Sequence, residues 1–374
     1  MKLRHPARRL AALALSLLLL LVFLPTAFAG GETVPAGEGQ APREGAVAQL
    51  GPAGETFDSV QEAIDAAAPS AGTVHLLQDV AECITIDMGS VTLDLSGHTL
   101  SAGNDPTAQA VIHVEGGTLT IEDTAGNGKV STSDGHMKAL RIEKDSVTLD
   151  GGTLRGDVGS KTLVSIEGSS ASLTVKDGAI RSEAKRGDNS MGMVQISNGC
   201  TLKLDGGELY SRFLHAIRNN GGGTVNMTGG SVTVDRQGAY ALDNYGTAEI
   251  SGGILTVQGG TAVHAVAEAS GASVTTKLSG NVICNGNIHV NGSNNNDGKT
   301  NIAKLEISSG TIYGSVNVES YSGPVDKSAI GYSLELRPMA FRVLWRLTLG
   351  CFWCVRIFTI RFRFNAVAER RQCS

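Results

Sequence analysis

Hydrophobic residues recur along this chain with two different rhythms. Phe57, Val60, Ile64 and Ala68 fall at helical spacing, which predicts one amphipathic helix over 57–68. Ser59 with Glu62 three residues later fits a capping box, and Pro69 stops the helix. Beyond it the rhythm becomes alternation over short stretches, as half-buried strands require. "TVHLL" and "ITIDM" come first, and then a first kind of burst repeats as "VTLDL", "VTLD", "LTVK", "LKLD", "VNMT" and "AEIS". A turn and a second burst follow each copy, as in "TLRG", "ELYS", "SVTV" and "ILTV". A third burst lies farther on: "VIHVE", "ALRIE", "LVSIE", "MVQIS", "HAIRNN", "YALDNY".

These copies are periodic. The second turn position after the first burst holds His98, Gly128, Gly152, Gly178, Gly207, Gly230, Gly253, Asn281 and Gly310, at intervals of 23 to 30 residues. Such a period marks a repeat architecture, and three short strands per copy with no helix between them exclude a βαβ fold. Stacked turns give three parallel sheets in which each inward residue sits on its counterpart about 4.8 Å away, so roughly nine coils make a rod about 40 Å long. The helix is expected to cover the open core of the first coil and shield its strand edge. Glycine at the corner supplies φ > 0. Because His98 and Asn281 occupy the same slot, glycine there reads as preferred for backbone shape rather than required for chemistry.

The fold class expected is therefore all-β, a parallel β-helix solenoid with an N-terminal capping helix. The motifs resemble the right-handed parallel β-helix of the pectate-lyase-like superfamily. More closely, "SVQEAIDAA…TVHLLQDV…ITI…VTLDLSGHTLSA" followed by "GGTLTIEDTAGNGKV" resembles bacterial secreted or surface proteins of the adhesin-like kind, over residues 56–320. The resemblance implies a right-handed coil and a surface location, and is specific for fold rather than activity.

Composition refines the organisation. Residues 1–29 read as a signal peptide, with a basic start, an apolar run and Ala27-Phe28-Ala29 at the cleavage site. Residues 30–50 are rich in Gly, Pro, Ala and Glu and read as a flexible linker. The β-helix domain then spans 51–331. Residues 332–374 form an atypical basic tail, with eight Arg, two Glu, both Trp and a single Gly, Gly350. Its composition suggests a frameshifted or truncated end. Cys351 and Cys354 there have redox-motif spacing but no strand–turn–helix context. The whole chain carries a net charge of −5 although both ends are basic, so the body between them is acidic. An acidic body argues against a nucleic-acid partner. The mature body is expected to lack a membrane span, and the protein is expected to be extracellular, secreted or cell-surface associated.

Candidate chemistry is sparse. Lyases on this fold need clustered acidic Ca²⁺ ligands and an arginine base, and glycoside hydrolases need two or three carboxylates at set distances. No such set is recognisable. The outward slot of the third strand, read coil by coil, holds Arg141, Ser165, Gln195, Arg218, Asp243, His264 and His289, a predicted column on one face. Within it Arg218, Asp243 and His264 are the catalytic candidates, since an Arg, a carboxylate and an imidazole on successive coils can move a proton. Ligand-binding candidates are Arg141, Gln195 and His289, joined by Tyr210, Tyr240 and Tyr245 as aromatic contacts. Asn219 and Asn244 fill a slot that holds Ile142, Ile166 and Ile196 earlier, and are expected to form a buried amide ladder. The loop 291–301 offers Asp297 and side-chain amides to Ca²⁺, the one cofactor considered, although one carboxylate is too few for tight binding. An RGD triplet at 186–188 is short enough to arise by chance. The function expected is a non-catalytic, adhesin-like surface rod that contacts polysaccharide or surface glycans. The alternatives are a polysaccharide lyase or glycoside hydrolase acting on acidic polysaccharide, and a stalk fragment of a longer surface protein.

Overall fold

The computed structural model describes residues 43–103, 107–132, 137–156, 162–185, 191–268, 272–292, 301–320 and 331–336. The signal peptide, most of the linker, the RGD triplet, Asp297 and the tail cysteines lie outside the described residues. What is described is an all-β parallel solenoid of about 8 turns, slightly fewer than the repeat alignment suggests.

Each turn contributes a strand to each of three sheets. The first sheet stacks Ser90–Asp94, Thr118–Glu122, the first half of Ser146–Gly156 and their successors to Gly331–Leu336, all in parallel register. The second contains Thr99–Ser101, Lys129–Thr132, Glu208–Ser211 and Ser231–Val234, and the third contains Ala110–Val114, Lys138–Ile142, Gly192–Ile196, His215–Asn219 and Tyr240–Asn244. The alternation seen in the sequence becomes columns. Leu149, Val175, Leu204, Met227 and Ile250 lie one above another and are buried. Burying such a side chain is worth about 1.5–3 kcal/mol, which is the force that stacks the coils.

Among the described residues the one α-helix, α1 (Val60–Ala67), lies between the strands Thr56–Phe57 and Thr73–Leu76; it is shorter than its apolar spacing suggests because Ser59 caps its start and Pro69 sits in a 3₁₀ turn directly after it. Its buried residues Val60, Ala63, Ile64 and Ala67 join the same core as the strands. Ser59 is the N-cap, and its Oγ accepts from the Glu62 amide at 3.3 Å. The carboxylate that completes the cap comes from Glu82 in the following coil: it accepts from Val60 N at 2.9 Å, Gln61 N at 3.0 Å and Ser59 Oγ at 2.7 Å. Sequence spacing could not show this, because the partner is brought in by folding. Glu82→Ala is expected to cost about 1–2 kcal/mol, through orphaned helix amides and the lost dipole contact. The check is a lowered urea midpoint with early loss of amide protection over 60–67; unchanged protection there would refute it.

Two boundaries differ from the sequence reading. The strand Ala48–Leu50 belongs to the folded body rather than to a linker: it pairs antiparallel with Thr56–Phe57 and with Thr73–Leu76, and so covers the edge of the first sheet. At the other end, Gly331–Leu336 stacks on Ile302–Ile307, with Tyr332 on Ala303, Leu334 on Leu305 and Leu336 on Ile307. The alternating phase therefore continues past residue 331, into the segment that composition sets apart.

The corners are tighter than a preference for glycine implies. Gly207 has φ +70 and Gly230 φ +73, and a Cβ on Gly230 would lie 2.5 Å from the carbonyl oxygen of Gly206 in the coil below. In the copies with His98 or Asn281 in the slot, the positive φ moves to the residue before, Gly97 or Gly280. The slot tolerates other residues only because a neighbouring glycine takes over the left-handed conformation.

Buried polar groups are matched inside the coils. Asp94 of "VTLDLSGHTL" is fully buried and accepts from Ser96 N at 2.8 Å, Thr124 N at 3.0 Å and Thr124 Oγ1 at 2.7 Å, with His75 Nδ1 at 3.0 Å. Burial pushes its carboxyl pKa up, but the bonds from Thr124, Ser96 and His75 outweigh that and hold it below the usual value. The predicted amide ladder is present: Asn219 sits on Ile196 and Asn244 on Asn219, both are fully buried, and Asn219 Nδ2 donates to Asn244 Oδ1 at 2.8 Å.

Candidate functional site

The third sheet places the outward column where the repeat alignment puts it. Arg141 pairs with Ser165, Ser165 with Gln195, Gln195 with Arg218, Arg218 with Asp243, Asp243 with His264 and His264 with His289. Register alone accounts for this, since residues one coil apart at the same phase must face the same way. The column also extends one coil earlier, to His113 on Arg141.

Arg218, Asp243 and His264 form a single network. Arg218 Nη1 donates to Asp243 Oδ2 at 2.7 Å, and His264 Nδ1 lies 2.8 Å from Asp243 Oδ1. Asp243 is 1% exposed, so both carboxylate oxygens are occupied and shielded from water. A carboxylate held this way orients its two partners and is poorly placed to take a proton from a ligand.

The aromatic residues are covered by cationic or imidazole side chains. Tyr240 lies between His215, at 4.6 Å between ring centroids, and His264, at 4.2 Å. Tyr245 has the Arg218 guanidinium 4.6 Å from its ring centre. Burial, then the Asp243 charge, pushes both phenols up, Tyr245 to about 12, so they stay protonated at neutral pH. Tyr210 does not join this face. It stands in the second sheet, in register with Arg181 and Thr233, under the Arg181 guanidinium and hydrogen-bonded to Asp235. The sequence grouped Tyr210 with Tyr240 because they are near in the chain, whereas the corner between them separates them by one sheet.

Arg141 belongs to a second network that sequence reasoning missed. Its guanidinium reaches Glu167 Oε2 at 3.1 Å and Gln109 Oε1 at 2.7 Å and also pairs with Glu143, whose carboxylate lies 3.3 Å from His113 Nε2. Lys138 Nζ is 3.8 Å from Glu167 Oε1. The signal was in the sequence: the third burst ends in Glu in three successive copies, Glu115, Glu143 and Glu167. Burial works to raise the Glu167 carboxyl pKa, but the neighbouring Ser165 hydroxyl and the charges of Arg141 and Lys138 together hold it below its ordinary value.

Between the two networks the face is hollowed. A groove of about 300 Å³ is lined by Lys138, Thr162, Ser165, Glu167, Met191, Gln195 and Ser197. Two candidate column residues, Ser165 and Gln195, form part of its floor, and Thr162 Oγ1 donates to Gln195 Oε1 at 3.0 Å.

Among the described residues no cluster of three or more His, Cys, Asp or Glu side chains is arranged to hold a metal ion, and no helix is long and apolar enough to cross a membrane. Comparison of the chain with known protein families, with curated proteins and with solved structures finds no match.

Proposed function

We propose that this protein is a non-catalytic solenoid, secreted or displayed on a cell surface, that contacts glycans through the outward face of its third sheet. The observation that carries the proposal is the state of Asp243. It is the acidic member of the candidate catalytic set, and both its oxygens are taken by Arg218 and His264 inside a buried contact. Retaining or inverting hydrolysis needs a pair of carboxylates that reach the scissile bond, and eliminative cleavage needs a base that reaches a sugar proton. Arg218 and His264 keep 20% and 12% of their side chains exposed beside the network, which suits limited hydrogen bonding to sugar hydroxyls or carboxylates. The resemblance to bacterial adhesin-like surface proteins supports the same reading.

The test is to incubate the purified chain with polygalacturonate and with neutral polysaccharides, with and without Ca²⁺, over about pH 5–10, the range that brackets the usual catalytic groups. Retention of a glycan without unsaturated products or new reducing ends is the expected result. Cleavage products would replace this reading by the lyase or hydrolase alternative, and failure to retain any glycan would remove it.

A further inference from the structure

We infer that His264 and His289 form a two-imidazole site for one divalent transition-metal ion, with Cu²⁺ held more tightly than Zn²⁺. The site goes beyond the glycan-contact reading and does not depend on it.

Register creates the pair. His264 and His289 occupy the same outward slot of the third sheet on successive coils. Their ring centres are 5.3 Å apart and their planes are tilted by 44°. Equivalent residues of neighbouring strands lie about 4.8 Å apart, so the stacking of the coils alone brings these imidazoles together. An ion about 2.0–2.1 Å from each nitrogen requires the two nitrogens to be about 3–4 Å apart. Turning the His289 ring about its soft χ2 torsion reaches that separation without moving the backbone.

Asp243 prepares His264 for the role. Its Oδ1 lies 2.8 Å from His264 Nδ1, and the carboxylate is 1% exposed, so water does not compete for the contact. A carboxylate at Nδ1 makes that nitrogen the protonated one of the neutral ring and leaves the lone pair on Nε2. It also fixes the ring and raises its basicity, as the carboxylates behind metal-binding histidines do. The other oxygen of Asp243 accepts from Arg218 Nη1 at 2.7 Å, which offsets the guanidinium charge beside the site. His289 is needed for only one of its two ring nitrogens. Both imidazoles are partly exposed, which gives the ion a way in from solvent.

The neighbours set the number of ligands and the kind of metal. His215 is not a third ligand: its Nδ1 accepts from Tyr240 N at 2.9 Å, and the Tyr240 ring lies between it and His264. His113 belongs to the same face but stands coils away, between Glu115 and Glu143. Two nitrogens fall short of the four ligands of a structural zinc site, so water or a small ligand fills the other positions and the ion exchanges. Imidazole suits copper, nickel and zinc, whereas Ca²⁺ takes oxygen ligands. Among the divalent ions a nitrogen site holds Cu²⁺ most tightly.

The experiment titrates the whole chain, without a histidine tag, with Cu²⁺ and records electron paramagnetic resonance. The first equivalent is expected to show coupling to two imidazole nitrogens, and Zn²⁺ should compete for it more weakly than Cu²⁺ binds. His264→Ala and His289→Ala should each weaken this equivalent about tenfold or more, the least that losing even a ligand's hydrogen-bond partner costs. His113→Ala should leave affinity and spectrum unchanged, and excess Ca²⁺ should displace nothing. Unchanged circular dichroism and urea midpoints identify the variants as folded. His289→Ala decides the matter if His264→Ala misfolds, because Asp243 then keeps both of its partners. Absence of Cu²⁺ binding, coupling to a single nitrogen, an unaltered spectrum in His289→Ala, an equal loss in His113→Ala, displacement by Ca²⁺ or tighter binding of Zn²⁺ overturns the site.

Discussion

Replacing Gly230 by alanine is expected to destabilise the solenoid by about 3–5 kcal/mol, a loss at the upper end for single substitutions. Two costs combine. The residue has φ +73, and holding an L side chain in the left-handed region costs about 1–2 kcal/mol. The added Cβ would also stand 2.5 Å from Gly206 O, 2.8 Å from Gly206 C and 2.8 Å from Gly207 O. Those atoms cannot swing aside as a flexible side chain would, because Gly207 O is bound by Ser231 N at 3.0 Å. Relief requires the two coils to separate, which opens core packing on both sides of the corner. Gly126 isolates the first cost: its φ is +87, but a Cβ there meets nothing within 4 Å. Gly126→Ala should therefore lose only about 1–2 kcal/mol. Urea unfolding of the two variants side by side is the measurement, and equal losses would show that close approach of the coils contributes nothing.

The second large effect is expected at Asn244. Its Oδ1 accepts from Asn219 Nδ2 at 2.8 Å and Gly246 N at 3.0 Å; its Nδ2 donates to Thr275 O at 3.1 Å and Thr276 Oγ1 at 2.9 Å. All of this lies in the core, where Asn219, Asn244 and Thr276 are 0% exposed. Asn244→Ala leaves several buried groups without partners as well as a cavity, and should cost about 3–5 kcal/mol. Earlier coils hold Ile142, Ile166 and Ile196 in the same column, so the site accepts an aliphatic side chain sterically. Asn219→Ile with Asn244→Ile should consequently cost less than the sum of the two single changes, since each single change strands the other amide. Additive losses in that cycle would mean the two amides are not coupled.

Much of this could be read from the sequence because a solenoid is nearly one-dimensional: each coil meets only its neighbours, so a local repeat fixes a global register. The third-sheet column follows from counting alone, and so does the Asn219–Asn244 ladder, since each slot recurs once per turn. Counting fails where the chain leaves the period. Glu82 reaches the N-terminus of α1 from the next coil, and Tyr210 is carried to another sheet by a corner. The composition of the two ends also misled. Ala48–Leu50 looks like linker and Gly331–Leu336 falls within a segment set apart as tail, yet both pair in register, because strand pairing uses backbone groups that composition does not describe.

The sequence by itself determined the parallel coil, its three faces and the identity of the residues on each, because period-two alternation within a period of 23 to 30 residues admits little else. Only the tertiary structure decided which of those residues remain open to a ligand. Asp243 is on the predicted face but is occupied by Arg218 and His264; Tyr240 is on it but lies between two imidazoles; Gln195 is on it and borders a groove. The physical reason is that register assigns a direction to each side chain, whereas occupancy depends on distances across coils and on long side chains such as Arg141 and Lys138, whose reach no spacing in the sequence specifies.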